Sequence, residues 1–383
     1  VRENILKSNY MGRLVANDFS ATIIAANLLE VNPNTGEKLD YINVAGQLES
    51  IREKYSNHEV GVEFDYHIIG FAKVIGDIAS GVARVVMFFL IALIITAVFV
   101  YIYSQSARLT LIIVLCALMA VIWQMGLLTL LGFGIDPMSI LVPFLVFAIG
   151  VSHGVQMVSA YRAEVFEGTD SEGAARSTFR RRLVPGGIAL LSDTIGFITI
   201  MLIKIRMIQE MAITASLGVA VIILIDLILV PVLLSYVPLS QKYLDKMVVR
   251  AKKLDRIWTK VAKVATPKTA TTVIAISALL FVVGGWKATQ VKIGDLHAGV
   301  PELRADSQYN IDTDVITSKF AIGVDVITTI FETHPEACTE HEIMTTIDRF
   351  EWQMRNVEGV QSVFGVGGVA KIMNAGWNEG SLK

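Results

Sequence analysis

The sequence has 383 residues, 53% of them hydrophobic, with a mean hydropathy of +0.57 and a formal net charge of −2. That apolar content exceeds ordinary globular usage, so lipid is needed to cover the excess. The near-neutral balance provides no field to gather nucleic acid, which argues against it as a partner, and the basic residues are clustered in the manner that sets membrane topology.

In chain order, the sequence opens at Val1 without an initiator Met or a signal peptide, in a polar stretch that reads as the middle of a domain, and is expected to be a fragment of something longer. Residues 21–29 read as a strand, 41–55 as an amphipathic helix and 60–69 as a second strand with alternating apolar positions, the first two separated by the turn signal Asn32, Pro33, Asn34, Thr35, Gly36. Crossing a ~30 Å hydrocarbon core takes about 20 apolar residues. Residues 85–103 and 109–131 meet this with no charge, 138–161 carries only His153, 183–203 only Asp193, and 207–237 carries Glu210 near its start and Asp226 near its middle. A sixth uncharged run, 269–286, ends at the interfacial Trp286.

Loop charge gives direction. The loop after the third span holds Arg162, Arg176, Arg180, Arg181 and Arg182, and the loop after the fifth holds nine basic residues between Lys242 and Lys268, which makes both cytoplasmic and places both terminal segments outside. Within that second loop, Leu244, Met247, Val248, Ala251, Leu254, Trp258, Val261 and Ala265 form one helical stripe opposite lysines and arginines, the pattern of a connector lying at the headgroups. Beyond the sixth span a strand at 323–332, a helix at 340–355 and a strand at 360–365 repeat the order of the first segment, as in an internally duplicated transporter. Cys116 lies in an apolar run and Cys338 in a polar one, so they are not expected to form a disulfide. No Walker A pattern and no metal-ligand spacing occurs, so neither cofactor nor metal is expected.

Four stretches carry a resemblance. Residues 150–164 (GVSHGVQMVSAYRAE) are similar to the fourth transmembrane helix of the resistance-nodulation-division (RND) exporters, specifically the MMPL branch that also resembles the sterol-sensing domain; Tyr161 and Arg162 match its terminal Tyr-Arg pair. Residues 192–200 (SDTIGFITI) and 207–234, with Gly218 and Pro231, look like its fifth and sixth helices, and 294–310 (GDLHAGVPELRADSQYN) resembles its linker into the second porter domain. The resemblance implies a membrane all-α helical bundle of about six transmembrane helices with α+β ferredoxin-like periplasmic porter segments, lacking the family's first helix and second half. It divides the chain into a porter segment (1–75), a sterol-sensing-domain-like five-helix bundle (76–237), a cytoplasmic amphipathic helix (238–268), the sixth transmembrane helix (269–287) and a second porter segment (288–383).

It also implies a secondary active transporter, not an enzyme: a proton-driven exporter of lipids or other hydrophobic molecules in the bacterial inner membrane, with periplasmic accessory proteins and a homo-oligomer both open. The alternative is a non-pumping lipid sensor or scaffold on the same bundle. An intramembrane aspartyl protease using Asp193 and Asp226 is weaker, since neither carries a Gly-rich active-site signature. In the family an Asp-Tyr pair stands nine residues before the Tyr-Arg pair; here those places are Ser152 and His153. Ionisable side chains at bilayer depth cost about 2.5 kcal/mol or more and persist where they have work to do. His153 partnered by Asp193, with Ser152 hydrogen-bonding in the cluster and Asp226 as a second carboxylate, is therefore the expected proton relay. Gln156 is expected to support it, whereas Glu210 sits near an exposed helix start.

Overall fold

The structure, a computed structural model, describes residues 2–7, 11–29, 31–37, 39–56, 64–136, 138–292, 294, 299–322 and 327–377. Its helices are α1 (Arg2–Lys7), α2 (Tyr41–Ser56), α3 (Phe71–Ser80), α4 (Val82–Ser104), α5 (Ala107–Leu130), α6 (Val142–Phe166), α7 (Ser171–Ile200), α8 (Arg206–Leu224), α9 (Val230–Ser235), α10 (Gln241–Ala262), α11 (Pro267–Ala288), α12 (Gln308–Lys319), α13 (His341–Arg355) and α14 (Val366–Trp377). A π-helical turn, Ile225–Leu229, joins α8 to α9. The chain divides into two compact units, Val1–Gly81 with Ile293–Lys383, and Val82–Lys292.

Six stretches are long and apolar enough to cross a membrane: Phe71–Ser104, Ala107–Leu130, Ser139–Phe166, Ser171–Ile200, Arg206–Ser235 and Thr269–Ala288. All six expected spans are present, and two of the helical stretches start well before their apolar windows. For α7 the cause is local: Asp170 accepts from Gly173 N at 3.2 Å and caps a polar first turn, so the helix begins where its cap lies and not where lipid begins. Ser106 caps α5 and Ser240 caps α10 in the same way, and Pro267 occupies the first turn of α11, where its missing N–H is no loss.

The core of the second unit lies where α5, α6, α8 and α9 meet, with Leu109, Val146, Val158, Tyr161, Ile222 and Leu234 fully buried. Lipid offers no hydrophobic drive for helix association, so small residues that let backbones approach decide the packing. On α6 a Cβ at Gly150 would lie 3.3 Å from Ala117 Cα, and one at Gly154 would lie 3.2 Å from Ile113 Cγ2, both on α5. On α8 a Cβ at Gly218 would come within 2.2 Å of Val146 Cγ2 and 2.9 Å of Gln124 Nε2.

In the first unit α2 packs on α3 so closely that a Cβ on Gly76 would lie 2.0 Å from Ala45 Cβ. Asp312, on α12, is fully buried and gathers the chain before the first span: it accepts from Arg52 Nη2 at 2.6 Å, Gln308 Nε2 at 2.8 Å and Ile68 N at 3.1 Å, and lies 2.9 Å from His67 Nδ1. Beside it Tyr309 Oη accepts from Gly70 N at 3.1 Å, while buried Lys73 pairs with Glu49 at 2.8 Å and with Asp77.

The expected α+β porter architecture is not seen among the described residues. Helices form at α2 and α13 where the pattern places them, but among the described residues there is no strand, only the isolated bridges Met11 with Val15 and Val15 with Thr22. Residues 21–29 join no ladder among the described residues, and Ile24 is 94% exposed. Of the expected strand 60–69, residues 64–69 have no ladder, and Ile68 N–H goes to the Asp312 carboxylate instead of to a neighbouring strand. Residues 327–332 and 360–365 likewise join no ladder among the described residues; Arg13 Nη2 donates to Val363 O at 2.8 Å, and the side chain of Gln361 donates to Phe320 O at 3.1 Å. Positions 60–63 and 323–326 lie outside the described residues. Alternation in sequence records which side chains share a face, but a strand exists only when a second backbone supplies its hydrogen bonds.

Candidate functional site in the helical bundle

The α8–α9 span is not a regular α-helix. Pro231 has no N–H to give and its ring crowds the carbonyl one turn back. The preceding residues adopt a π turn in which Val230 N donates to Ile225 O, a bond of i to i−5. Such turns insert an extra residue into a helix and recur at functional sites. Asp226 sits inside this one.

Asp226 is 1% exposed, flanked by Ile225 at 1% and Leu227 at 3%. Its Oδ2 has no hydrogen-bond partner among the described residues. Buried Cys116 on α5 lies within electrostatic reach of it. From α7, Gly186 and Gly187 leave room for Leu227, whose methyls would stand 3.1 and 3.7 Å from a Cβ at either position. An unpaired carboxylate in such surroundings costs several kcal/mol, so this residue is a poor choice for stability alone.

The other three expected relay residues are placed differently. His153, on α6, is half-buried, with Nδ1 3.1 Å from Ile149 O, the carbonyl one turn earlier. That contact orients the ring and leaves Nε2 as its free face. Ser152 and Asp193 are exposed on α6 and α7, and no hydrogen bond or ion pair among the described residues joins His153, Asp193, Ser152 or Asp226 to one another. Gln156 is exposed as well, and Glu210 pairs with Arg206 at 2.8 Å near the start of α8.

Among the buried polar side chains that escaped the sequence reading, Gln124 lies deep in the bundle. Gln124, on α5, is fully buried; its Nε2 donates to Thr214 O on α8 at 2.8 Å, and its Oε1 has no partner among the described residues. A count of charges passes over it because an amide carries none. The available signal was a lone amide in an otherwise apolar span, with Gly218 on the facing helix to make room for it.

At one end of the bundle a polar belt ties the helices together. Tyr161 Oη donates to Val237 O at 2.7 Å, Arg162 stacks over Tyr103 at 5.4 Å, and Arg181 pairs with buried Glu164 at 2.6 Å. Tyr161 and Arg162, the pair singled out in the sequence, thus hold α6 to the end of α9 and to α4.

No curated protein matches the chain. A family model does, that of the MMPL family, over residues 33–282, a stretch that includes five of the six apolar helices whole and most of the sixth. This multi-pass membrane protein, built on six apolar helices, belongs to the MMPL family.

Proposed function

We propose that the chain forms part of an RND-type secondary transporter that exports lipids or other hydrophobic molecules from the bacterial inner membrane at the expense of proton entry. In this reading Asp226, His153 and Asp193 carry the proton with Ser152 hydrogen-bonding in the relay, the basic loops face the cytoplasm, and residues 1–75 and 288–383 act on the periplasmic side. Membership of a transporter family and the need of the chain for lipid support the general role.

The observation that carries proton coupling is Asp226: a buried carboxyl with an unpartnered oxygen, in a π turn of a membrane-spanning helix. Moving a proton onto and off such a group changes its solvation energy by several kcal/mol. That is enough to bias two helix arrangements if one of them admits water. The exposed Asp193 carboxylate and the free face of His153 would receive the proton when the helices move, with the Ser152 hydroxyl hydrogen-bonding beside them.

The test is transport of a fluorescent lipid analogue by the full-length protein in liposomes under an imposed pH gradient. Asp226→Asn is expected to lower the gradient-driven rate at least tenfold while lipid binding persists, and His153→Ala or Asp193→Asn to lower it in the same direction. Wild-type rates in all three variants would end the proton reading. Lipid binding without transport at any gradient, in the unmodified protein, would instead make it a sensor.

A further inference from the structure

We infer that α10 is a docking surface for the acidic phospholipid headgroups of the leaflet on its side of the membrane. The inference is independent of proton coupling. It begins with connectivity: one span ends at Ser235 and the next begins at Thr269, while α10 between them is too charged to cross, so both ends of this 22-residue helix are held at the same membrane face. At 1.5 Å per residue it reaches about 33 Å along that face.

Its first half is fixed to the bundle. Tyr243 Oη donates to Ser104 O at 2.6 Å and Arg250 Nη1 donates to Ile102 O at 2.7 Å, both carbonyls at the end of α4. Tyr243, Leu244, Met247 and Leu254 are correspondingly part-covered, and burial pushes the Tyr243 phenol above its usual range. The apolar stripe then continues past the bundle with nothing on it: Trp258 is 62% exposed and Val261 55%. A stripe that starts on protein and carries on at the same level, off the end of a set of membrane helices, comes to lie on acyl chains.

Charge selects the kind of leaflet. Seven Lys or Arg face two Asp along α10, a net of +5, and the basic residues occupy the sides and back of the stripe. A basic face flanking a Trp-bearing apolar stripe is the pattern that holds a helix 5–10 Å into an anionic interface. Each cation near such a surface strengthens the attraction roughly fivefold. Loss of two of them should therefore weaken docking about 25-fold.

The experiment places a nitroxide on the full chain in single-copy nanodiscs. Cys116 is 1% exposed and stays unlabelled, and Cys338→Ser removes the other thiol. Labels go on Trp258→Cys, in the stripe, and on Arg256→Cys, on the opposite face. In discs containing phosphatidylglycerol, the label at 258 should be reached by oxygen in preference to an aqueous nickel chelate, and the label at 256 the reverse. Adding Lys252→Gln and Lys253→Gln, or replacing phosphatidylglycerol by phosphatidylcholine, should return the 258 label towards water. An aqueous 258 label in phosphatidylglycerol overturns the proposal. So does immersion that is equal in both lipids, which would leave the charge without a role. Spin–spin broadening at 258 in two-copy discs with an aqueous label in single-copy discs would make α10 an interface between copies instead, and would also overturn it.

Discussion

Removing the Asp312 carboxylate gives the most direct check on the unit that flanks the spans. Its side chain is fully buried and receives Arg52 at 2.6 Å, Gln308 at 2.8 Å and Ile68 N–H at 3.1 Å, with His67 Nδ1 at 2.9 Å. Arg52 is itself only 14% exposed. Asp312→Ala leaves that guanidinium only the more distant Glu49, 3.8 Å from its Nε, and orphans a backbone N–H, a loss of about 3–5 kcal/mol for a broken buried pair. At roughly 1.4 kcal/mol per decade this corresponds to about two to three and a half decades in local opening. Hydrogen exchange read by mass spectrometry should show it as lost protection in α12 and in residues 64–70 together, because one carboxylate holds both. Lys371→Ala is the control: it breaks the Asp348 pair at 2.5 Å, where Lys371 is 61% exposed, and a solvated pair of that kind contributes below about 1 kcal/mol. If protection in α12 changed no more in Asp312→Ala than in the control, the clamp as described would be wrong.

The same residue sets a pH limit. Burial alone pushes the Asp312 carboxyl up, but His67, the Ile68 N–H, Gln308 and the Arg52 charge together outweigh it and hold the folded carboxyl below its ordinary range. A depressed folded pKa contributes stability that is complete above the unfolded value of about 3.9 and is lost as pH falls through the folded one. Protection in α12 should therefore hold down to about pH 4 and then fall, while Asp312→Asn shows no such acid step. In the bundle, Gly218→Ala would drive a methyl to 2.2 Å from Val146 Cγ2 and 2.9 Å from Gln124 Nε2, both on fully buried residues. Overpacking of about 1–3 kcal/mol should exceed the gain of up to about 1 kcal/mol from helix propensity. Gly126→Ala on α5 meets nothing within 4 Å and serves as the reference, so equal thermal survival of the two variants in detergent would refute the close packing of α5, α6 and α8 there.

Much of this architecture was already legible in the residues. Apolar runs of about 20 residues with at most two ionisable side chains are long enough to cross lipid, so the six spans follow from composition and length without reference to any neighbour. The stripe of α10 and the helices α2 and α13 follow from periodicity in the same way. The importance of Tyr161 and Arg162 came from family resemblance, and the contacts they make, with Val237 and Tyr103, became apparent only in three dimensions.

What only the tertiary structure decided is pairing. Residues 60–69 alternate as a strand does, but pattern cannot supply the second backbone that makes a strand, and the Ile68 N–H found a carboxylate 244 positions away. Depth within the bundle was equally hidden. His153, Asp193 and Asp226 look alike as single ionisable residues in apolar runs, yet Asp226 is 1% exposed inside a π turn while Asp193 is exposed on its helix. Hydropathy is a property of a segment, whereas burial depends on which face of that segment a neighbouring helix covers. Here that was settled by a few glycines and one buried amide, whose small size or lack of charge gave them little weight in the sequence.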